Sequence, residues 1–375
     1  EIQKIENYKP EKRWNLYKNT TNVKSNFDRD SLLENLNSDE NGHQHHHHDL
    51  TVSSDSTSED KADYWHPSIL YTYKIPGQGT SYPGPVMMLE PGEELAIDFS
   101  NNIEIPELTE EQIQEATLIT NSLPGLTGGA GHGGTTSTNY HLHGAHVHPG
   151  GFADNVVSRY TTGQEWTTKI DIPGDHGMGS YWYHPHYHPA VNQQLYGGAS
   201  GFLQIGDPLS KIPGFNKVPR NLAVIKSINV IPEDESGDLV LTGYDILGSV
   251  TQSVAMPTVN GAFQPNVDVD NTGWQALTLS NQDNGAYYNI RLIHTDDSGK
   301  TSNLPMYIYG EDGHQYPQIR KAVGALGKAD NNSSNPYSKA ENLVALPPGK
   351  RIDLLTYLPQ GKTEIASVYS FSKED

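Results

Sequence analysis

The sequence predicts an all-β protein built from two antiparallel Greek-key β-sandwiches, and three observations carry that expectation. Short runs of strand length alternate apolar and polar residues from Tyr64 onward, as in Ile69-Leu-Tyr-Thr-Tyr-Lys74 and Glu94-Leu-Ala-Ile-Asp-Phe99. Turn chemistry separates them, with Pro-Gly at 83–84 and 91–92 and Asn-Asn at 101–102. The chain of 375 residues also holds 36 Gly, 24 Pro and 21 Tyr, a balance that suits a turn-rich β chain better than a helical one.

Its length allows two ordinary domains and a tail. The 45 Asp and Glu outnumber the 25 Lys and Arg, giving a formal charge of −20. Like charges repel, so nucleic acid and anionic membrane are not expected partners. No apolar run approaches the roughly 20 residues that span a bilayer. Glu1-Ile-Gln-Lys4 has neither a basic start nor an apolar core, so an exported protein is expected to be present here in mature or trimmed form, periplasmic or extracellular. Cysteine is absent, which removes disulfides, thiolate metal sites and cysteine nucleophiles together.

Residues 1–62 read as a disordered tail, rich in Asn, Ser, Asp, Lys and Glu. The tract His43-Gln-His-His-His-His48 within it reads either as a metal-gathering run or as plain low complexity. Residues 63–208 read as the first domain. It opens with the two alternating runs above and with Gly84-Pro-Val-Met-Met-Leu89. An insertion runs over 103–138. Leu108, Gln112 and Ala116 share one face of a short helix there, followed by a Gly-rich loop that includes His132.

Residues 140–188 then hold eight of the seventeen histidines. Two clusters stand out, Tyr140-His-Leu-His-Gly144 and Trp182-Tyr-His-Pro-His186. A strand has a period of two, so both imidazoles of a His-x-His pair project from one face. Two such strands side by side present four imidazoles to one small volume, a nest for copper, zinc, nickel or iron, of which copper binds tightest.

After Gly201-Phe-Leu-Gln-Ile-Gly206, read as a closing strand, a Pro- and Gly-bearing linker leads to a second domain over 215–375. Its strands are expected at 221–227, 275–279, 288–293, 305–309 and 352–357, the last after the Pro347-Pro-Gly349 turn.

Asn139-Tyr-His-Leu-His-Gly144, Ala153-Asp-Asn-Val156, Gly179-Ser-Tyr-Trp-Tyr-His-Pro-His186, Gln194 and Gly198-Ala-Ser-Gly-Phe202 together resemble the first cupredoxin domain of the multicopper oxidases, in their laccase-like bacterial branch. Val259-Asn-Gly-Ala262, Arg291-Leu-Ile293, Gly310-Glu-Asp-Gly313 and Pro348-Gly-Lys-Arg-Ile-Asp353 resemble the second, a connector that carries no copper ligands. The resemblance implies that His141 binds the single copper of a trinuclear cluster, and that His143, His184 and His186 bind the coupled pair. It also implies that Asp154 lies near the solvent channel, orienting a copper-bound water or relaying protons. The bland reading makes Asp154 a turn acid that accepts backbone amides.

Members of that family also need a cysteine-ligated blue copper and four more histidines from a last domain. The resemblance therefore implies a missing third domain or a Cys-bearing partner chain, with a homo-oligomer as a further arrangement and no turnover by this chain alone. The alternative is a metal-binding or structural cupredoxin without catalysis.

The remaining histidines divide by context. His146 and His148 continue the alternation, as an extra metal pair or a rim, and His188 follows the second pair without being an inherited ligand. His176, in Pro173-Gly-Asp-His-Gly177, is expected on an exposed turn. His294 and His314 are expected to be packed or hydrogen-bonded. Trp182 and Tyr183 are expected to pack around the site.

Overall fold

A computed structural model describes residues 4–5, 73–75, 79–103, 137–188, 190–196, 198–233, 238–241, 254–263, 272–283, 285–327 and 337–367. The histidine tract at 43–48, the short helix expected over 107–116 and His132 lie outside them. Apart from Lys4–Ile5, so does the tail.

The first half is carried by β1 (Lys4–Ile5), β2 (Tyr73–Ile75), β3 (Gly79–Ser81), β4 (Gly84–Leu89), β5 (Glu94–Ser100), β6 (His141–His143), β7 (Glu165–Asp171), β8 (Gly179–His184), the short helix α1 (Val191–Tyr196) and β9 (Gly201–Ile205). Two sheets form its sandwich. One runs β1-β5-β7 and the other β4-β9-β8-β6, with β2 and β3 as a separate pair.

Alternation decides which side chains enter the core. On β5, Leu95, Ile97 and Phe99 point inward while Asp98 is exposed. On β7, Trp166 and Ile170 do the same. They meet Leu142, Tyr183, Leu203 and Ile205 of the opposing sheet. Each fully buried Leu or Ile contributes about 1.5–3 kcal/mol. The six-residue helix α1 has no counterpart in the alternating pattern of the sequence.

The second half comprises β10 (Arg220–Glu233), β11 (Asp238–Leu241), β12 (Val254–Val259), β13 (Ala262–Phe263), β14 (Gly273–Asn281), β15 (Tyr288–Thr295), β16 (Thr301–Asn303), β17 (Tyr307–Glu311), β18 (His314–Lys321), β19 (Val323–Gly327), β20 (Tyr337–Glu341), β21 (Val344–Leu346), β22 (Arg351–Leu358) and β23 (Lys362–Ser367). One sheet runs β13-β12-β10-β14-β22-β17-β18, with β11 on β10. It faces a smaller sheet of β16, β15, β21 and β23. Leu279, Leu292, Met306, Leu346 and Leu354 fill the core between them.

Neither sandwich is purely antiparallel, which corrects the expectation from sequence. β4 pairs parallel with β9, and β10 pairs parallel with β14. In each case a long stretch of chain separates the partners, so the second strand can return in the same direction as the first.

β8 is buried along its whole length because both of its faces are covered. Tyr181 and Tyr183 turn into the first core. Ser180, on the opposite face, meets the second half of the chain. Its hydroxyl donates to Asp353 Oδ1 at 2.5 Å, and Arg351 Nε donates to the Ser180 carbonyl at 3.0 Å. Lys226 reaches the other way across this seam and donates to the Leu195 carbonyl. Asp312 and Gly313 close the β17–β18 hairpin with φ of 52° and 85°, the left-handed pair that a two-residue turn requires. That turn presses on the first half, where Tyr181 Oη donates to the Gly313 carbonyl at 3.0 Å.

Candidate metal centre

Strand register builds the site. β6 and β8 pair antiparallel with His141 opposite His184, Leu142 opposite Tyr183 and His143 opposite Trp182. Leu142 and Tyr183 are fully buried in the core. The period of two therefore sends His141, His143, Trp182 and His184 to the other face. There, one ring nitrogen from each of His141, His143 and His184 lies within 4.8 Å of the other two. Ring centroids stand 6.0 Å apart for His141 and His143, and 5.3 Å for His141 and His184.

His186 lies past the end of β8, yet it remains in the group. Asn139 Oδ1 accepts its backbone N–H at 2.6 Å, and its ring lies 4.9 Å from that of His141. Trp182 forms a wall against which both His143 and His184 stack, at 4.7 and 4.3 Å. From the second half, the turn before β22 brings Gly349 close to the His143 ring. A Cβ at Gly349 would sit 3.6 Å from His143 Cε1.

Hydrogen bonds fix the tautomers of His141 and His184. His141 Nδ1–H donates to the Asp154 carboxylate, 3.0 Å from both oxygens, which leaves Nε2 to face the cluster. His184 Nδ1–H donates to the Pro185 carbonyl at 2.7 Å, so its Nε2 is an acceptor. That Nε2 lies 3.1 Å from His143 Nδ1. Orienting a ring by binding its outer nitrogen to a carboxylate or carbonyl is how proteins prepare imidazoles for metal.

Burial disfavours the charged form of His143, His184 and His186. Burial, reinforced by the Arg351 guanidinium, lowers His143 to about 4. Burial holds His184 well below the usual imidazole value and lowers His186 as well. These imidazoles are therefore neutral at neutral pH, the protonation state in which they can ligate a metal. Three convergent imidazole nitrogens suit a borderline transition-metal ion such as copper or zinc, and the site carries no thiolate.

Asp154 is buried, and it does two things. Besides holding His141, its Oδ1 accepts the Leu142 backbone N–H at 2.9 Å. It therefore braces both the ring and the strand that carries it.

The other histidines fall differently. His148 is exposed and folds back on its own turn, with its Nδ1 3.1 Å from the Gly150 nitrogen. His188 is exposed beside His186, at 5.5 Å between rings. His294 is buried, with Nδ1 3.1 Å from Thr363 Oγ1, as a packed histidine should be. Trp182 packs on the rings as expected, while Tyr183 faces the core and donates to the Pro85 carbonyl at 2.7 Å.

Two expectations are overturned. His176 is not an exposed turn residue: it is 7% exposed, accepts the His146 N–H at Nε2 and faces the Gly177 carbonyl with Nδ1. The loop after β6 folds over the turn and buries it, a long-range event that the local Pro-Gly-Asp context does not encode. His314 is exposed rather than packed, and its ring lies 5.8 Å from that of His146.

No protein-family model matches the chain. A curated relative, the rice (Oryza sativa subsp. japonica) multicopper oxidase LPR1 homolog 5, is 22% identical over 262 residues, covering 66% of this chain and 36% of the relative. Among solved structures, the laccase-like multicopper oxidase CueO from Ochrobactrum sp. superposes with a TM-score of 0.51 at 18% identity, covering 79% of this chain and 52% of that one. The laccase from Pediococcus acidilactici gives 0.50 at 16% identity, covering 79% and 53%.

The chain has the fold of the multicopper oxidases.

It resembles them in sequence as well. The chain spans about half the length of these two solved oxidases and 36% of the rice protein. The histidine face of β6 and β8 belongs to the half of this multicopper-oxidase fold that precedes residue 206.

Proposed function

We propose that this chain is the copper-binding N-terminal portion of a laccase-like multicopper oxidase, and that it supplies half of a trinuclear oxygen-reducing site. The observation that carries the reading is the convergence of His141, His143 and His184 on one strand face, with His186 alongside. His141 takes the single copper, and His143, His184 and His186 take the coupled pair. Bound copper supplies the electron transfer and oxygen chemistry. The protein's own residues place the rings together, keep His143, His184 and His186 unprotonated and brace His141 through Asp154. Trp182 and the Gly349 turn exclude water from one side of the cluster.

The domains follow as 63–208 for the copper-binding cupredoxin and 215–375 for the connector. The protein works outside the cytosol. Because the chain has no cysteine, the blue copper comes from a third cupredoxin domain or a Cys-bearing partner, and the chain alone does not oxidise a reducing substrate. A second reading is a non-catalytic metal-binding or assembly cupredoxin.

The test is bound copper per chain, by elemental analysis, in His141→Ala, His143→Ala, His184→Ala and His186→Ala. Each is expected to hold less copper than the parent, and unchanged copper in all four refutes the reading. Oxidation of phenols or amines that appears only with a cysteine-bearing partner separates the subunit from the non-catalytic protein.

A further inference from the structure

A second group of imidazoles lies outside the four-histidine face, where the two halves of the chain meet. His146 comes from the loop after β6, His176 from the turn before β8, and His314 from the first position of β18. His146 stands 6.0 Å from His176 and 5.8 Å from His314, measured between ring centroids. These spacings match those of the first cluster, where His141 and His143 are 6.0 Å apart.

The three rings are not equivalent. His176 is buried with both nitrogens engaged, Nε2 by the His146 N–H at 2.9 Å and Nδ1 by the Gly177 carbonyl at 2.9 Å. It has no lone pair to offer and serves to position the His146 backbone. His146 and His314 are exposed at the seam.

We propose that His146 and His314 bind one transition-metal cation of the copper or zinc class across that seam. With metal–nitrogen distances of about 2.0–2.1 Å, a ring centroid lies about 3.2 Å from the ion. Two rings on one ion then stand about 5.2 Å apart at a tetrahedral angle and about 6.4 Å apart when opposed. The observed 5.8 Å falls between these limits.

Both rings sit on anchored backbone. The Asp312-Gly313 turn that precedes His314 is held by Tyr181 Oη on the Gly313 carbonyl. A Cβ on Gly179 would come within 2.8 Å of Gly313, which indicates how closely the two backbones approach. Water completes the coordination sphere on the open side. An ion there ties the loop after β6 to the β17–β18 hairpin, and so joins the first sandwich to the second.

This site does not depend on the four-histidine reading, because it shares no ligand with it. The test is the number of copper(II) ions retained per chain, after equilibration and dialysis, in the full-length parent and in His146→Gln, His314→Gln and the double variant. The tail histidines contribute equally to all four and cancel in the differences. Each single variant is expected to retain about one copper fewer than the parent, and the double variant no fewer than either single. Unchanged copper in either single variant overturns the proposal, as does a double variant that loses about two. In a His141→Ala background the same loss of about one copper on His314→Gln is expected, and its absence there assigns that copper to the first cluster and refutes a separate site.

Discussion

Replacing Asp154 tests whether the candidate centre is organised as its geometry indicates. The carboxylate accepts two donors in a buried setting, the His141 Nδ1–H at 3.0 Å and the Leu142 N–H at 2.9 Å. Asp154→Asn keeps an acceptor oxygen for both but removes the negative charge that makes the His141 imidazole a better donor to a cation. Asp154→Ala removes the acceptor altogether, frees the ring to turn and leaves the Leu142 N–H without its partner. Second-layer partners of metal-bound histidines typically account for 10–100-fold in affinity, about 1.4–2.7 kcal/mol. The orphaned buried N–H adds a folding penalty of about 1–3 kcal/mol in the alanine variant only.

Copper affinity by competition against a chelator, and stability by denaturant unfolding, read the two effects separately. The asparagine variant is expected near the low end of the affinity loss with little change in stability. The alanine variant is expected near the high end, with a clear loss of stability. Wild-type copper affinity in Asp154→Ala would refute the bracing role.

Two further outcomes test the packing that supports the site. Burial lowers Lys226 to about 8, well below its ordinary 10.5, so between those values the unfolded chain binds the proton and the folded chain does not. Stability then rises with pH across that window, and Lys226 adds roughly 2–3 kcal/mol between pH 7 and 10. Lys226→Met should lack that increment, and an equal rise in parent and variant over the same pH range would contradict it. Gly201 lies under Tyr183, whose hydroxyl oxygen would be 2.1 Å from an added Cβ. Because Tyr183 is fully buried, Gly201→Ala is expected to destabilise by about 1–3 kcal/mol, seen as a lower denaturant midpoint with unchanged slope. A neutral substitution would mean that the ring moves freely.

Much of the site is legible in the sequence, for a specific reason. His-x-His in strand sequence fixes two rings on one face without knowledge of the partner strand, and the aromatic and Gly context fixes the strand. Tyr183, expected around the site, follows the opposite phase of its strand and lies in the core with Leu142. His186 is harder to place, since it lies past Pro185 where the period of two no longer applies. Asn139, which accepts the His186 N–H, holds it in the group. Local context misplaces His176 and His314 because their surroundings come from segments far away in the chain. The loop at 146 buries one of them, and the hairpin geometry at the seam exposes the other.

The order of the residues alone determined the all-β architecture, the two sandwiches and the identity of the face that carries the imidazoles. These follow from side-chain alternation and turn chemistry, which act over a few residues. Only the tertiary structure decided which nitrogens of His141 and His184 turn toward the cluster, how Asp154 divides its two oxygens and which histidines of separate segments become neighbours. Those outcomes depend on strand register, on the parallel return of β9 and on the docking of β22 against β8. They are set by the packing of surfaces distant in the chain, which no local pattern records.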